Sequence, residues 1–160
     1  MRDQPAPIDA SGLRIGLVVS RYHAAITGGL EQGARDAFVR AGGAAADLIA
    51  VDAPGTFELP VIAQALARRE DVDGVVALGC VITGETRHDR YISSAVAQAL
   101  QRLALDSRKP CAFGVLTCSN LDQARSRSGG EKGNKGAESM TATVAAVRAI
   151  GQVAPGGKRA

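Results

Sequence analysis

A chain of 160 residues, 46% of them hydrophobic, is long enough for one domain with a real core, but only 3% are aromatic and none is tryptophan, so alanine, valine, leucine and glycine must do the packing. Three cysteines, odd in number and without a C-x-x-C pair, suggest neither a disulfide framework nor a zinc site. The net charge of +3, concentrated in Arg125, Arg127, Lys132, Lys135, Lys158 and Arg159, comes without aromatic platforms or a recognisable module, which argues against nucleic-acid binding.

Residues 1–12 are rich in proline and polar groups and read as an extended arm that does not hold itself in place, needing a partner or staying mobile. Leu13 to Ser20 (LRIGLVVS) is the first buried strand, and Arg21-Tyr22-His23 turns at its carboxyl end. Ile26, Leu30, Ala34, Ala37, Phe38 and Ala41 then recur at helical spacing until Gly42-Gly43. A short second strand runs from about Asp47 to Val51, and Asp52-Ala53-Pro54-Gly55 signals a turn. Leu59, Ile62, Ala63 and Leu66 mark a second helix, which tolerates Pro60 because it falls in the first turn. From Gly74 a valine-rich run has the pattern of a strand covered on both faces, and it stops at Gly84. Glu85-Thr86-Arg87-His88 stands where the next helix starts, because Ile92, Ala95, Val96, Ala99, Leu100 and Leu103 follow at helical spacing, with Thr83 or Thr86 as candidate cap. Cys111 to Thr117 is the fourth strand, Asn120 caps a short helix to about Ser128, and Gly129-Gly130 breaks it. Met140, Val144, Val147 and Ile150 trace the last helix. The domain then spans 13–152, followed by a basic tail over 153–160 that frays from Pro155.

Strands alternating with helices at this spacing predict a three-layer α/β/α sandwich, a flavodoxin-like four-stranded parallel sheet with helices on both faces. Such sheets bind ligands outside the carboxyl ends of their strands, which gathers Arg21-Tyr22-His23, Thr56-Phe57-Glu58, Val81 to His88 and Thr117-Cys118-Ser119 at one edge. There Tyr22 and Phe57 suit a flat heterocycle, Glu58 accepts hydrogen bonds, and backbone at Cys80, Val81 and Ile82 offers polar contacts. Gly84-Glu85-Thr86 at a helix start suits a phosphate, and His88 is placed to move protons. Each residue also has a plainer reading: Phe57 as core, Glu58 as complement to the helix dipole, His88 as a surface polar residue. Their joint placement at one sheet edge favours function.

These segments resemble the lumazine synthase family of riboflavin biosynthesis. The resemblance runs from about Leu13 to Ile150 and rests on PGTFELP at 54–60, ALGCVITGET-x-H at 77–88, FGVLT at 113–117 and R-x-G-x₃-GNKG at 127–136. It implies that Tyr22 stacks on the pyrimidine of 5-amino-6-(D-ribitylamino)uracil, that Thr56, Phe57 and Glu58 line the ribityl side, and that Cys80, Val81 and Ile82 give backbone contacts. It further implies that Glu85 and Thr86 hold the phosphate of 3,4-dihydroxy-2-butanone 4-phosphate through their N–H groups and that His88 is the acid/base. Phe113, Lys135 and a phosphate-clamping Arg127 would enter from a neighbouring subunit. No cofactor and no metal is needed. The implied partners are the two small-molecule substrates, further copies of the chain as a pentamer or a 60-subunit shell, and riboflavin synthase; neither nucleic acid nor membrane is among them. Tyr22 stands for a more usual phenylalanine or tryptophan, Thr83 for a common arginine, and Arg87, Asp89 and Arg90 depart from the usual residues around the histidine.

Three other readings compete: a thiol enzyme using Cys118 with His88, a flavodoxin-like binding module or receiver, and a lumazine-binding or structural shell without chemistry. The turn Ser20-Arg21-Tyr22-His23 lacks both a hydroxyl-rich phosphate loop and an acidic cluster, which weakens the second. No apolar run is long enough to span a bilayer and the first residues lack a signal-peptide core, so a cytoplasmic protein is expected.

Overall fold

The computed structural model describes residues 8–155. A parallel sheet forms from β1 (Ile15–Ser20), β2 (Leu48–Ala53), β3 (Gly74–Ile82) and β4 (Cys111–Cys118), in the order β2-β1-β3-β4. The two central strands, β1 and β3, are almost wholly buried, as their unbroken apolar runs require. One face of the sheet carries α1 (Ala24–Arg40), α4 (Leu121–Arg127) and α5 (Lys135–Val153), with Leu17, Val19, Leu30, Phe38, Leu78 and Met140 at the core between them. The other carries α2 (Leu59–Ala67) and α3 (His88–Ser107), over Val18, Val75, Ala77 and Val115. The three-layer sandwich expected from the alternation is the one observed.

Several boundaries differ from expectation, each for a local reason. β1 begins at Ile15, though Leu13 before it is still buried. β2 begins at Leu48 because Asp47 closes a 3₁₀ turn over Ala45–Asp47, held by the Arg14 guanidinium at 3.0 Å. It then extends through Asp52 and Ala53, which pair with Val19 and Ser20. Asn120 caps α4 as expected, its side-chain oxygen accepting from Gln123 N at 2.9 Å. Thr83 does not cap α3 but donates to the Asp89 carboxylate at 3.2 Å; Thr86, just before the Arg87 cap position, accepts from His88 N, the first N–H of the helix, at 3.4 Å. After α4 the glycines do not merely break the helix but form a small antiparallel hairpin, β5 (Ser128–Gly130) with β6 (Gly133–Asn134).

Of the expected arm, residues 1–7 lie outside the described residues, while its last part is tied to the body. Ala10 is fully buried, its N–H donating to Ala41 O at 2.8 Å, and Arg148 donates to the carbonyls of Asp9 and Ser11 at 2.7 Å each. Residues 9–11 thus fold against the ends of α1 and α5 where a free arm was expected. Of the basic tail, Val153 still belongs to α5, and residues 156–160 lie outside the described residues.

The hairpin explains the GNKG segment. It returns the chain so that Asn134 caps α5, its Oδ1 accepting from Gly136 N at 2.9 Å and Ala137 N at 3.1 Å, while its Nδ2 donates to Gly29 O on α1 at 2.8 Å. The side chain lies where a Cβ at Gly33 would be, so the glycines of α1 form the trough that receives it. The low aromatic content is met in this way, by helices brought close over glycine.

Candidate functional site

β3 outruns its neighbour. Its ladder with β1 ends at Val19 against Leu78, whereas its ladder with β4 continues through Gly79, Cys80 and Val81 to Ile82 against Cys118. Backbone groups at Cys80 to Ile82 therefore face the β1 side without a strand partner there, and a buried backbone group seeks one. A cleft of about 670 Å³ opens over this overhang. Its walls come from the carboxyl ends of three strands: Tyr22 and His23 after β1, Gly55 to Glu58 after β2, and Cys80 to Ile82 at the end of β3 with Gly84, Thr86, His88, Asp89 and Ile92 beyond it.

Tyr22 and Phe57 expose 67% and 60% of their surface, so neither aromatic is core, and both line the cleft. Glu58 occupies the cap position of α2 but makes no capping bond, and its carboxylate lies over Gly55, where an added Cβ would come within 2.9 Å of it. Thr56 is buried against Gly79, whose missing Cβ leaves room for its hydroxyl at 2.8 Å; among the described residues that hydroxyl has no hydrogen-bond partner. His88 is exposed as the first residue of the 20-residue α3, at the end of a helix that favours negative charge. Glu85 sits in the same loop, exposed, without lining the cleft.

Phe113, Arg127 and Lys135 are not brought to this cleft within one chain. Phe113 lies on the edge strand β4 and is 37% exposed. Arg127 ends α4 and donates to Gln123 O at 3.1 Å and Ser126 Oγ at 3.3 Å, and Lys135 pairs with Glu138. Among the described residues the cleft lining thus holds two carboxylates, Glu58 and Asp89, two imidazoles, and no lysine or arginine. The sequence placed His23 at this sheet edge without giving it a role, and named Asp89 only as a departure beside His88 and Ile92 only as part of a helical stripe. A signal for the first was available, since the chain has only two histidines and both stand at strand ends of the same sheet edge.

The thiols do not fit a nucleophile's role. Cys80 and Cys118 are buried; burial pushes Cys80 and Cys111 up to about 11 and raises Cys118 as well, against the opposing charge of Arg127. A reactive cysteine needs the reverse shift. Cys118→Ser should keep full activity, and iodoacetamide at pH 8 should leave the native protein active. Loss of turnover on either treatment would restore the thiol reading. Among the described residues there is no cluster of three or more metal-ligating side chains and no helix long and apolar enough to cross a membrane.

Fold and cleft together define an α/β protein of the doubly wound kind, with a hydrogen-bonding site at its strand ends large enough for a heterocycle and, among the described residues, no lysine or arginine lining it. The sequence model of the 6,7-dimethyl-8-ribityllumazine synthase family matches residues 12–150, and the chain belongs to that family. It is 45% identical over 137 residues to the 6,7-dimethyl-8-ribityllumazine synthase of Aquifex aeolicus, covering 86% of this chain and 89% of that one. To the protein of the same name from Thermus thermophilus it is 43% identical over 143 residues, 89% of this chain and 91% of the relative.

Proposed function

We propose that this chain is a lumazine synthase, a transferase that condenses 5-amino-6-(D-ribitylamino)uracil with 3,4-dihydroxy-2-butanone 4-phosphate to 6,7-dimethyl-8-ribityllumazine. The observation that carries the reading is the composite cleft: two exposed aromatic side chains, the backbone of Cys80 to Ile82 without a strand partner on its β1 side, and a helix start bearing His88. In it Tyr22 stacks on the pyrimidine, Thr56, Phe57 and Glu58 hold the ribityl chain, and Cys80, Val81 and Ile82 bond the ring through their backbone. Glu85 and Thr86 give N–H groups to the phosphate.

The amine of the uracil attacks the ketone and water leaves to give an imine; phosphate then departs, and the ring closes with loss of water. His88, exposed at the helix start, passes the protons that each step moves. Holding both substrates in one cleft supplies much of the remaining rate.

Among the described residues the charged side chains lining the cleft are carboxylates, so a dianionic phosphate at the α3 start has no guanidinium or ammonium beside it within one chain. The missing cation supports an oligomer in which Phe113, Arg127 and Lys135 of one subunit complete the site of the next. Arg127, with a planar fork, clamps the phosphate. We take the assembly to be built of pentamers, with a 60-subunit shell as its largest form, at work in the cytosol and with riboflavin synthase as a partner. The test is an absorbance assay for lumazine formation from the two substrates, run beside light scattering. Product from an assembly of five or more subunits is expected; a well-folded protein that makes none sinks the assignment, and an active monomer sinks the shared site.

A further inference from the structure

Thr83 closes a ring around the loop between β3 and α3. Its N–H donates to Cys118 O at 2.9 Å, one step beyond the last β3–β4 pair, so its backbone is fixed to the sheet. Its hydroxyl donates to Asp89 Oδ2 at 3.2 Å, so its side chain reaches the first turn of α3. Strand and helix are thereby joined directly across residues 84–88.

Inside that ring the chain packs against little. Gly84 to His88 are all exposed, and a Cβ added at Gly84 would meet nothing within 4 Å. Thr86 bonds within the ring, accepting from His88 N at 3.4 Å. An exposed segment left untied at its ends samples many conformations, and ordering it would draw on the free energy of ligand binding. The proposed function gives this same segment the phosphate, on the N–H groups of Glu85 and Thr86, and the proton transfers, on His88. A tie that sets its shape beforehand therefore bears on how well the phosphate substrate is held.

Asp89 has a plainer reading, since a carboxylate in the first turn complements the helix dipole wherever its side chain points. Its placement goes beyond that. It is half-buried, lines the cleft and turns back to a residue that precedes the loop, whereas Arg87 and Arg90 of the same turn stay exposed. We propose that Thr83 and Asp89 act together as positioning residues: their hydrogen bond holds the 84–88 loop in the conformation that receives the phosphate substrate, and so raises the affinity for that substrate without touching the reacting atoms. This deepens the lumazine synthase reading above and rests on it.

The experiment measures KM for each substrate, and the inhibition constant of inorganic phosphate, on the full-length assembly of the wild type, Thr83→Val, Thr83→Ser, Asp89→Asn and Asp89→Ala. Valine keeps the shape of threonine without the donor, and serine keeps the donor. Asparagine and alanine are both uncharged, but only asparagine accepts the hydroxyl, so comparing them separates the hydrogen bond from the charge. For Thr83→Val the expected result is a rise of about fivefold in the KM of the phosphate substrate and in the inhibition constant of inorganic phosphate, with less than about twofold change in the pyrimidine KM. Thr83→Ser should lie within about twofold of the wild type, and Asp89→Ala should bind both phosphate ligands about fivefold more weakly than Asp89→Asn. Wild-type constants in Thr83→Val overturn the proposal. So do an equal rise in both KM values, which would mark a general loosening of the cleft, and an asparagine variant no better than alanine. Wild-type protein that forms no lumazine overturns the functional reading and this one together, so the two failures are told apart by the wild-type assay.

Discussion

Arg127→Ala should lower kcat/KM by about a thousandfold, with most of the loss in the affinity for 3,4-dihydroxy-2-butanone 4-phosphate and little in that for the pyrimidine. The magnitude follows from what remains. With Arg127 gone, the phosphate faces Glu58, Asp89 and the N–H groups of the α3 start, and no guanidinium balances the carboxylates. Arg127→Lys should recover only part of the loss, since a point charge replaces a bidentate fork. Where the arginine acts is a separate matter, and mixing settles it. If each site takes His88 from one subunit and Arg127 from the next, co-assembled Arg127→Ala and His88→Ala chains should regain roughly a quarter of the wild-type sites, because in a closed ring each site draws independently on two neighbours. Two inactive variants that stay inactive when co-assembled would place Arg127 in its own chain's site, against the shared-site reading. Normal activity of Arg127→Ala alone would remove the phosphate clamp altogether.

What the sequence made legible was whatever depends on burial within one chain. β3 could be read because a strand covered on both faces leaves no polar positions, and its end, expected by Gly84 and observed at Ile82, located the cleft. The capping of α4 by Asn120 was equally plain, since that residue type has few other reasons to precede an apolar run. The left-handed turn at His23 was not legible, because histidine is a weak cap and nothing in its neighbours announces a positive φ. The β5–β6 hairpin was missed for a different reason: SGGEKGN has no strand propensity, and it pairs only because the chain must bring Asn134 back against Gly29 on α1. Phe113, Arg127 and Lys135, which lie away from the cleft within one chain, mark a further limit, since no pattern of burial along the chain gives them a place in a site.

Gly136→Ala should cost about 3 kcal/mol of stability, at the upper end of overpacking effects because backbone rather than a side chain stands in the way. A Cβ on Gly136 would fall on the Leu30 carbonyl oxygen, 2.6 Å from its carbon and 2.9 Å from the Leu30 Cα. Leu30 is fully buried in the middle of α1 and cannot give way without moving that helix. α5 must then lift off α1, which also strains the bonds of Asn134 to Gly29, Gly136 and Ala137. For a domain of this size the loss corresponds to a fall in Tm of about 10 °C. Gly28→Ala is the matched control. It lies in the same α1 with nothing within 4 Å of an added Cβ, so alanine there should raise stability by about 0.5–1 kcal/mol through helix propensity alone. Opposite signs at two helical glycines would show that the close approach of α1 and α5, rather than glycine's flexibility, is what the sequence maintains at position 136. A Gly136→Ala protein melting within about 2 °C of wild type would mean that the two helices can separate without cost, and that the glycines of the GNKG segment do not hold α5 against α1.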